Sequence, residues 1–395
     1  MLNRFITIII ALILLAAMPA ACCQADEEYS LGGIIYATSD EEDVSTGLED
    51  TGSDDPASSL AIVTPSAASY VTEPDGSVLI TITATGDVTI GSNYKSSGKS
   101  IFVKELERQK NDINFAFKNF KDLFEADDLT LINFEGTLTT VARPPANKMN
   151  NDFLFRAPPE YVALLSNNSV EAVTLENNHA NDFGAEGLAE TKRTLTSAGV
   201  VYTCEGEIGV VTVKGVQVAL LAYQTFDAYD RLFTQVPLEV AAAKARYPLV
   251  IVSFHWGREL DYKPNANQQR LGKSAIDAGA DLVLGHHSHR INPIEEYNDK
   301  YIVYSLGNFS FAGNIKPSDM STFVFQARFR VKDDIVTGEG FRIIPARISS
   351  RTDTNDFTPT PYDKQVNIDS LLSVLQKNGA SLANPVSEYP LHFPE

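Results

Sequence analysis

The stretch LVIVSFHWG, Leu249 to Gly257, constrains this fold more than any other. It is almost wholly apolar up to His255, so a strand here has no face to offer to water and must be covered on both sides. DLVLGHHSH, Asp281 to His289, has the same character. Around these two, strand and helix patterns alternate, which predicts a layered α/β fold. Order begins at SVLITITATGD, where Val78, Ile80 and Ile82 alternate with Leu79, Thr81 and Thr83 in a strand expected to stop at Gly86. LTLINFEG predicts a strand ending at Glu135, and VEAVTLENNHAND a strand that breaks into a polar loop. AEGLAETKRTLTSAG and NQQRLGKSAIDAGA predict helices, the first closed by Gly199. VTVKGVQVALLAY predicts a hairpin turning at Lys214-Gly215. YIVYSLGNFSF reads as one further strand, and the alternation of STFVFQARFRV as part of a second sheet.

The two ends of the chain have different compositions. MLNRFITIIIALILLAAMPAACCQ has Arg4, an apolar run from Phe5 to Ala17 and then small residues, which reads as an export signal over 1–23. Ala20-Ala21-Cys22 adds the pattern of a lipid-modified cysteine, with Pro19 where an aliphatic residue is usual; anchoring at Cys22 and ordinary release are both left open. Residues 24–75 follow as an acidic spacer expected to be disordered, because the stretch cannot bury enough apolar surface to offset the entropy of ordering it. No Lys or Arg occurs between Arg4 and Lys95, while residues 26–75 hold thirteen Asp and Glu, so much of the net charge of −19 belongs to this tail. No basic stripe suggests a nucleic-acid partner. Cys204 stands alone beyond the Cys22-Cys23 pair, which excludes a disulfide-stapled scaffold. The folded domain is expected over 76–350. The segment 351–395 reads as a C-terminal extension in which Ile368, Leu371, Leu372 and Leu375 form one apolar helical stripe that docks on it.

Chemistry gathers at the ends of the predicted strands. Asp87 ends TATGD, Glu135 ends LINFE, Asn178 and His179 end VTLENNH, His255 ends IVSFH, and His286, His287 and His289 end LVLGHHSH. Five of the six histidines lie in three of these places; the sixth, His392, is in the tail. In α/β sheets the carboxyl ends of strands converge on one edge, so these residues are expected to form one site. Carboxylate, amide oxygen and imidazole together suit Mn²⁺, Fe²⁺, Zn²⁺ or Mg²⁺. A bridging carboxylate can hold two such ions, and a histidine outside the ligand set can protonate a leaving group.

With these residues in hand, the sequence resembles the CapA family of capsule and poly-γ-glutamate biosynthesis proteins, a branch of the calcineurin-like metallophosphoesterase superfamily. The resemblance runs from about Leu79 to Phe311 through six ordered motifs: TGDVTIG, NFEGTLT, LENNHANDFGAEGL, SFHWGRE, GADLVLGHHSHRI and YSLGNFSF. It implies the four-layer α-β-β-α sandwich of the metallo-dependent phosphatases. It implies one or two divalent ions, with Asp87, Glu135, Asn178, His255, His287 and His289 as ligands and His179 as the catalytic imidazole. The superfamily's first-motif histidine falls at Thr89, which leaves Asp87, Glu135 and His289 as the poorer set and Glu135, Asn178, His255 and His287 as the fuller one. Trp256 and Glu259 either shape a substrate pocket or pack and pair locally. His286 supports the ligands by hydrogen bonding, and Asn308 orients site groups. His287 and His289, at alternate positions of an extended segment, are expected to point the same way. The implied function is an exported protein, lipid-anchored on the extracytoplasmic face of the membrane or secreted. It would act as a metal-dependent hydrolase or transferase in making an anionic envelope polymer, with membrane polymer-synthase partners. A secreted phosphoesterase unrelated to capsule and a non-catalytic polymer- or partner-binding component are the alternatives.

Overall fold

A computed structural model describes residues 70–96, 98–226 and 228–394. The expected signal, Cys22 and nearly all of the acidic spacer lie outside the described residues. In chain order the main strands are β1 (Val78–Thr89), β2 (Leu129–Phe134), β3 (Ala172–Thr174), β4 (Val201–Thr203), β5 (Gly209–Val213), β6 (Val216–Gln224), β7 (Leu249–His255), β8 (Leu282–His286), β9 (Ile294–Tyr297), β10 (Lys300–Val303), β11 (Asn308–Phe311), β12 (Ser321–Lys332) and β13 (Ile335–Arg347). The main helices are α1 (Ile101–Arg108), α2 (Gly184–Ser197), α3 (Tyr229–Lys244), α4 (Ala266–Asp277) and α5 (Gln365–Gly379). Among the described residues no helix is long and apolar enough to cross a membrane.

The strands form two large mixed sheets. The first runs β13-β12-β1-β2-β3-β4, with the short strand Thr360–Pro361 beyond β13 and β11 beside β1. The second runs β9-β10-β8-β7-β6-β5. β1, β2 and β3 are parallel neighbours, as are β6, β7 and β8, so both sheets deliver carboxyl ends to an edge.

Successive side chains of one strand enter different cores. Leu249 and Ile251 of β7 join Leu282 and Leu284 against Ile80, Ile82, Leu129 and Leu131 of the first sheet. Val250 and Val252 face outward and meet Leu232 and Val236 of α3 with Leu271 and Ala275 of α4. On the outer face of the first sheet, Ile132 and Val173 meet Phe102 of α1, Phe124 of the short helix Lys121–Glu125, and Leu195 of α2. Three cores between four layers make the α-β-β-α sandwich, and they explain why β7 carries no polar alternation.

Local signals match the elements they predicted. Asn265 and Gln268 close a capping box at the start of α4. Lys214 and Gly215 turn the β5–β6 hairpin with φ of 48° and 80°, and Gly199 follows α2 at φ 75°. Three expectations are corrected. The first strand does not stop at Gly86 but continues to Thr89 with a shift of register. YIVYSLGNFSF is two strands: β10 lies in the second sheet and β11 in the first, and the chain crosses between them at Gly307, φ 75°. STFVFQARFRV is β12, antiparallel to β1 in the first sheet rather than part of another. Alternation reports one covered face and says nothing of which sheet covers it.

Candidate metal centre

Asp87 lies near the end of β1 and is fully buried. Its Oδ1 accepts from Asn133 Nδ2 at 2.8 Å and from His286 Nδ1 at 3.1 Å. Its Oδ2 accepts from the His287 main-chain N–H at 3.3 Å and lies 3.3 Å from His289 Nδ1. Burial alone would push this carboxyl up, but the bonds from His286 and His289 outweigh it and hold its pKa well below the usual carboxylate range.

Glu135, the residue after β2, is also fully buried, yet among the described residues neither of its side-chain oxygens has a hydrogen-bond partner. Burial pushes its pKa up; Asp87 and Glu259 add to that push, while His289 and His179 oppose it. An ionised carboxylate left so is expensive unless a cation pairs with it. One donor atom each from Asp87, Glu135 and His289 lies within 4.8 Å of the others. Two carboxylates and an imidazole, with the orphaned oxygens between them, fit a divalent ion. His289 Nδ1 donates to Asn308 Oδ1 at 2.8 Å, which leaves Nε2 as the ring's ligating nitrogen. Burial works against a charged His289, but the Glu135 and Asp87 carboxylates prevail and raise its pKa to about 9.

The second group stands beside the first. His255, at the end of β7, faces Asn178 Oδ1 through Nε2 at 2.7 Å. Its ring centroid is 4.6 Å from that of His287, whose buried Nδ1 has no partner. Burial, then each other's proximity or that of His289, depresses both rings, His287 to about 4. Neutral imidazoles are the form that ligates metal; at His289 an ion held by the same carboxylates would displace the ring's extra proton. His287 and His289 do not converge by strand alternation: β8 ends at His286, and both have left-handed backbone, at φ 90° and 52°. The turn aims them. The set expected to be poorer nevertheless brings its three donors within 4.8 Å of one another.

His179 is held by Asp182, whose Oδ2 accepts from Nδ1 at 2.8 Å and also from the Phe155 N–H at 2.7 Å. His179 Nε2 then lies 3.8 Å from Glu135 Oε1. Trp256 takes the second of its two expected readings. It is fully buried, donates to the Tyr304 carbonyl at 2.9 Å and stacks on Phe254, so it is core and not a pocket wall. It fits because a Cβ on Gly285 would stand 2.5 Å from its indole nitrogen. Glu259 is exposed on the loop after β7. Thr89 is buried and donates to the Glu135 carbonyl at 2.8 Å, a structural contact at the position of the superfamily's histidine.

Sequence reasoning passed over Asn133, Asp182 and an aromatic collar. Phe155, Phe226 and Phe311 pack against His179, His287 and His289 with ring centroids 4.6, 4.5 and 4.8 Å apart. Asn133 had one available signal: it precedes Glu135 by two, the spacing that sets two side chains on one side of an extended segment.

Residues 81–312 match the family model described as Bacterial capsule synthesis protein PGA_cap. The chain is 30% identical over 230 residues to the PGA biosynthesis protein CapA of Bacillus subtilis (strain 168), covering 53% of this chain and 60% of the relative. It is 29% identical over 257 residues to the capsule biosynthesis protein CapA of Bacillus anthracis, covering 59% and 60%. The matches thus span less than two thirds of the length of either relative. A solved structure, the calcineurin-like phosphoesterase YfkN from Bacillus subtilis, aligns with 76% of this chain and 99% of its own at 14% identity, with a TM-score of 0.43.

Proposed function

The chain belongs to the PGA_cap family of bacterial capsule synthesis proteins, and from that premise we propose that it is a metal-dependent hydrolase or transferase acting on an anionic envelope polymer such as poly-γ-glutamate, or on a phosphoester linked to its synthesis. The observation that carries the metal-dependent part is Glu135: a buried carboxylate with two unpartnered oxygens, facing Asp87, His289 and His179. Asp87, Glu135 and His289 would hold one divalent ion, and Glu135, Asn178, His255 and His287 a second. Such ions supply Lewis acidity to a phosphoryl or carbonyl oxygen and make water nucleophilic near neutral pH. The chain's own part is to keep the ligands in place and to move protons. Asp182 fixes the Nδ1 proton of His179, so Nε2 is the atom that gives a proton to a leaving group. Phe155, Phe226 and Phe311 limit water around the imidazoles.

The test is the metal itself. Purified protein is expected to retain Mn, Fe, Zn or Mg by elemental analysis, and His255→Ala or His287→Ala to lower that content. Protein that takes up no divalent ion under any loading condition would sink the enzymatic reading. It would leave a polymer- or partner-binding component, which the structural role of Thr89 favours. Metal-loaded protein active on generic phosphoesters but inert on γ-glutamyl polymer would instead mark a phosphoesterase separate from capsule. From the opening stretch we propose export, to the extracytoplasmic face of the membrane through a lipid anchor or into the medium, and from the family alone we propose polymer-synthase partners. Cys22→Ser is expected to shift it from the membrane to the soluble fraction, and an unchanged distribution would reject lipid anchoring.

A further inference from the structure

We propose that Asn133 is the positioning residue that binds the two halves of the centre together, an inference that rests on the metal-dependent reading above. Its amide, buried to 1% exposure, touches four elements. Nδ2 donates to Asp87 Oδ1 at 2.8 Å on β1 and lies 3.3 Å from His255 Nδ1 on β7. Oδ1 accepts from Thr174 Oγ1 on β3 and from Asn177 Nδ2 in the loop that carries Asn178 and His179, each at 3.1 Å. The orientation of the amide follows from its neighbours. Flipped, it would set its oxygen 2.8 Å from a carboxylate oxygen and its NH₂ against the NH₂ of Asn177. Asn133 thus uses its acceptor to tie β3 to the loop that carries Asn178 and a donor to aim Asp87, while its amide packs against His255 of the second sheet.

The consequences fall on ligand geometry. With Oδ1 of Asp87 occupied by Asn133 and His286, that carboxylate is left to offer Oδ2 toward Glu135 and His289. The Asn133 amide, 3.3 Å from Nδ1, packs against the His255 ring from behind while Nε2 faces Asn178. Groups that orient ligands from behind are worth roughly 10–100-fold in metal affinity.

Two variants of the full-length protein separate this role from a structural one. Asn133→Asp has the same shape and still accepts from Thr174 and Asn177, but it cannot donate to Asp87 and sets a carboxylate against it. Asn133→Ala removes both sides. Binding is read by Co²⁺ titration, following the visible absorption bands, and folding by the thermal midpoint in EDTA. We expect Asn133→Asp to melt within a few degrees of wild type in EDTA yet to bind Co²⁺ roughly 10–100-fold more weakly, with altered bands. Asn133→Ala should bind at least as weakly; if it fails to fold, the Asp variant decides alone. Asn133→Asp binding Co²⁺ as tightly as wild type, or more tightly, overturns the inference. A loss of affinity matched by collapse of the EDTA midpoint also overturns it, in favour of a structural role. Wild-type protein that takes up no Co²⁺ overturns the metal reading and this inference together.

Discussion

His179 stands between two carboxylates with different work. Asp182 bonds Nδ1 directly, whereas Glu135 is 3.8 Å from Nε2 and has no bond of its own. His179→Ala removes a proton donor without touching the acidic ligands. It is expected to keep its metal content and lose roughly 10²–10⁴-fold in turnover, measured on a phosphoester panel beside elemental analysis; unchanged turnover would reject the role. A second pair of acids acts at the other end of the first sheet. Asp127 precedes β2 and Glu171 precedes β3; Thr130 bonds both, and Asp127 Oδ1 is buried without a partner. Burial raises each pKa to about 7 from 3.8 and 4.5, and Glu171 adds to the rise at Asp127. The folded state therefore holds protons that the unfolded chain has released, so these groups stabilise fully below their unfolded values. That stability is lost as pH climbs through about 7. Asp127→Asn with Glu171→Gln is expected to flatten the fall in thermal midpoint between about pH 5 and pH 8. An unaltered slope would refute the assignment. Both kinds of residue show how far single positions are legible. Asp87, Glu135 and His255 stand out because charge or imidazole interrupts an apolar strand at its end. Asn133 and Asp182 do not, because their meaning depends on partners from other strands and loops.

Gly86 and Gly307 show why elements were only partly legible. β1 needs Gly86 because a Cβ there would lie 2.3 Å from the Gly307 carbonyl oxygen, which itself accepts from the Asp87 N–H at 2.9 Å. This backbone-to-backbone approach is where the chain crosses from β10 in one sheet to β11 in the other, setting Asn308 opposite Asp87. The apolar residues on either side of the crossing look alike, since both strands are buried, so the sequence shows one long strand with a glycine in it. By contrast, the capping box of α4 and the Lys214-Gly215 turn are written in adjacent residues and could be seen directly. Gly86→Ala tests the approach. We expect about 1–3 kcal/mol of destabilisation, read as a lower urea midpoint. Metal content should fall as well, because Asp87 and Asn308 are the next residues along. A variant with wild-type midpoint and metal content would show that the strands can part at no cost.

The C-terminal segment looks like an appendage in the sequence and packs like part of the core. Phe357 is fully buried on the outer face of the first sheet, with its ring 5.5 Å from that of Phe102. Ser310 of β11 donates to the Phe357 carbonyl at 2.9 Å, and Asn355 Nδ2 donates to the Phe311 carbonyl at 2.8 Å. The loop after Ser350 therefore braces the strand that carries Asn308. Leu371 and Leu375 of α5 enter the core between the sheets, as the apolar stripe predicted, while Ile368 stays half-buried. Beyond the helix, the Tyr389 hydroxyl accepts from the Ile294 N–H at 3.3 Å, and Glu295 pairs with Pro385. Composition could not reveal this, because a Thr-, Asp- and Pro-rich loop reads as solvated whether or not one phenylalanine in it is buried. The two halves of the segment can be tested apart. Leu375→Ala leaves a cavity between the sheets and is expected to cost about 2–5 kcal/mol, while metal content per folded molecule holds. Phe357→Ala should likewise cost about 3–5 kcal/mol, and it should also lower metal affinity, because the brace under β11 is lost. Equal metal affinity in the two variants at matched folded fraction would separate the C-terminal segment from the site.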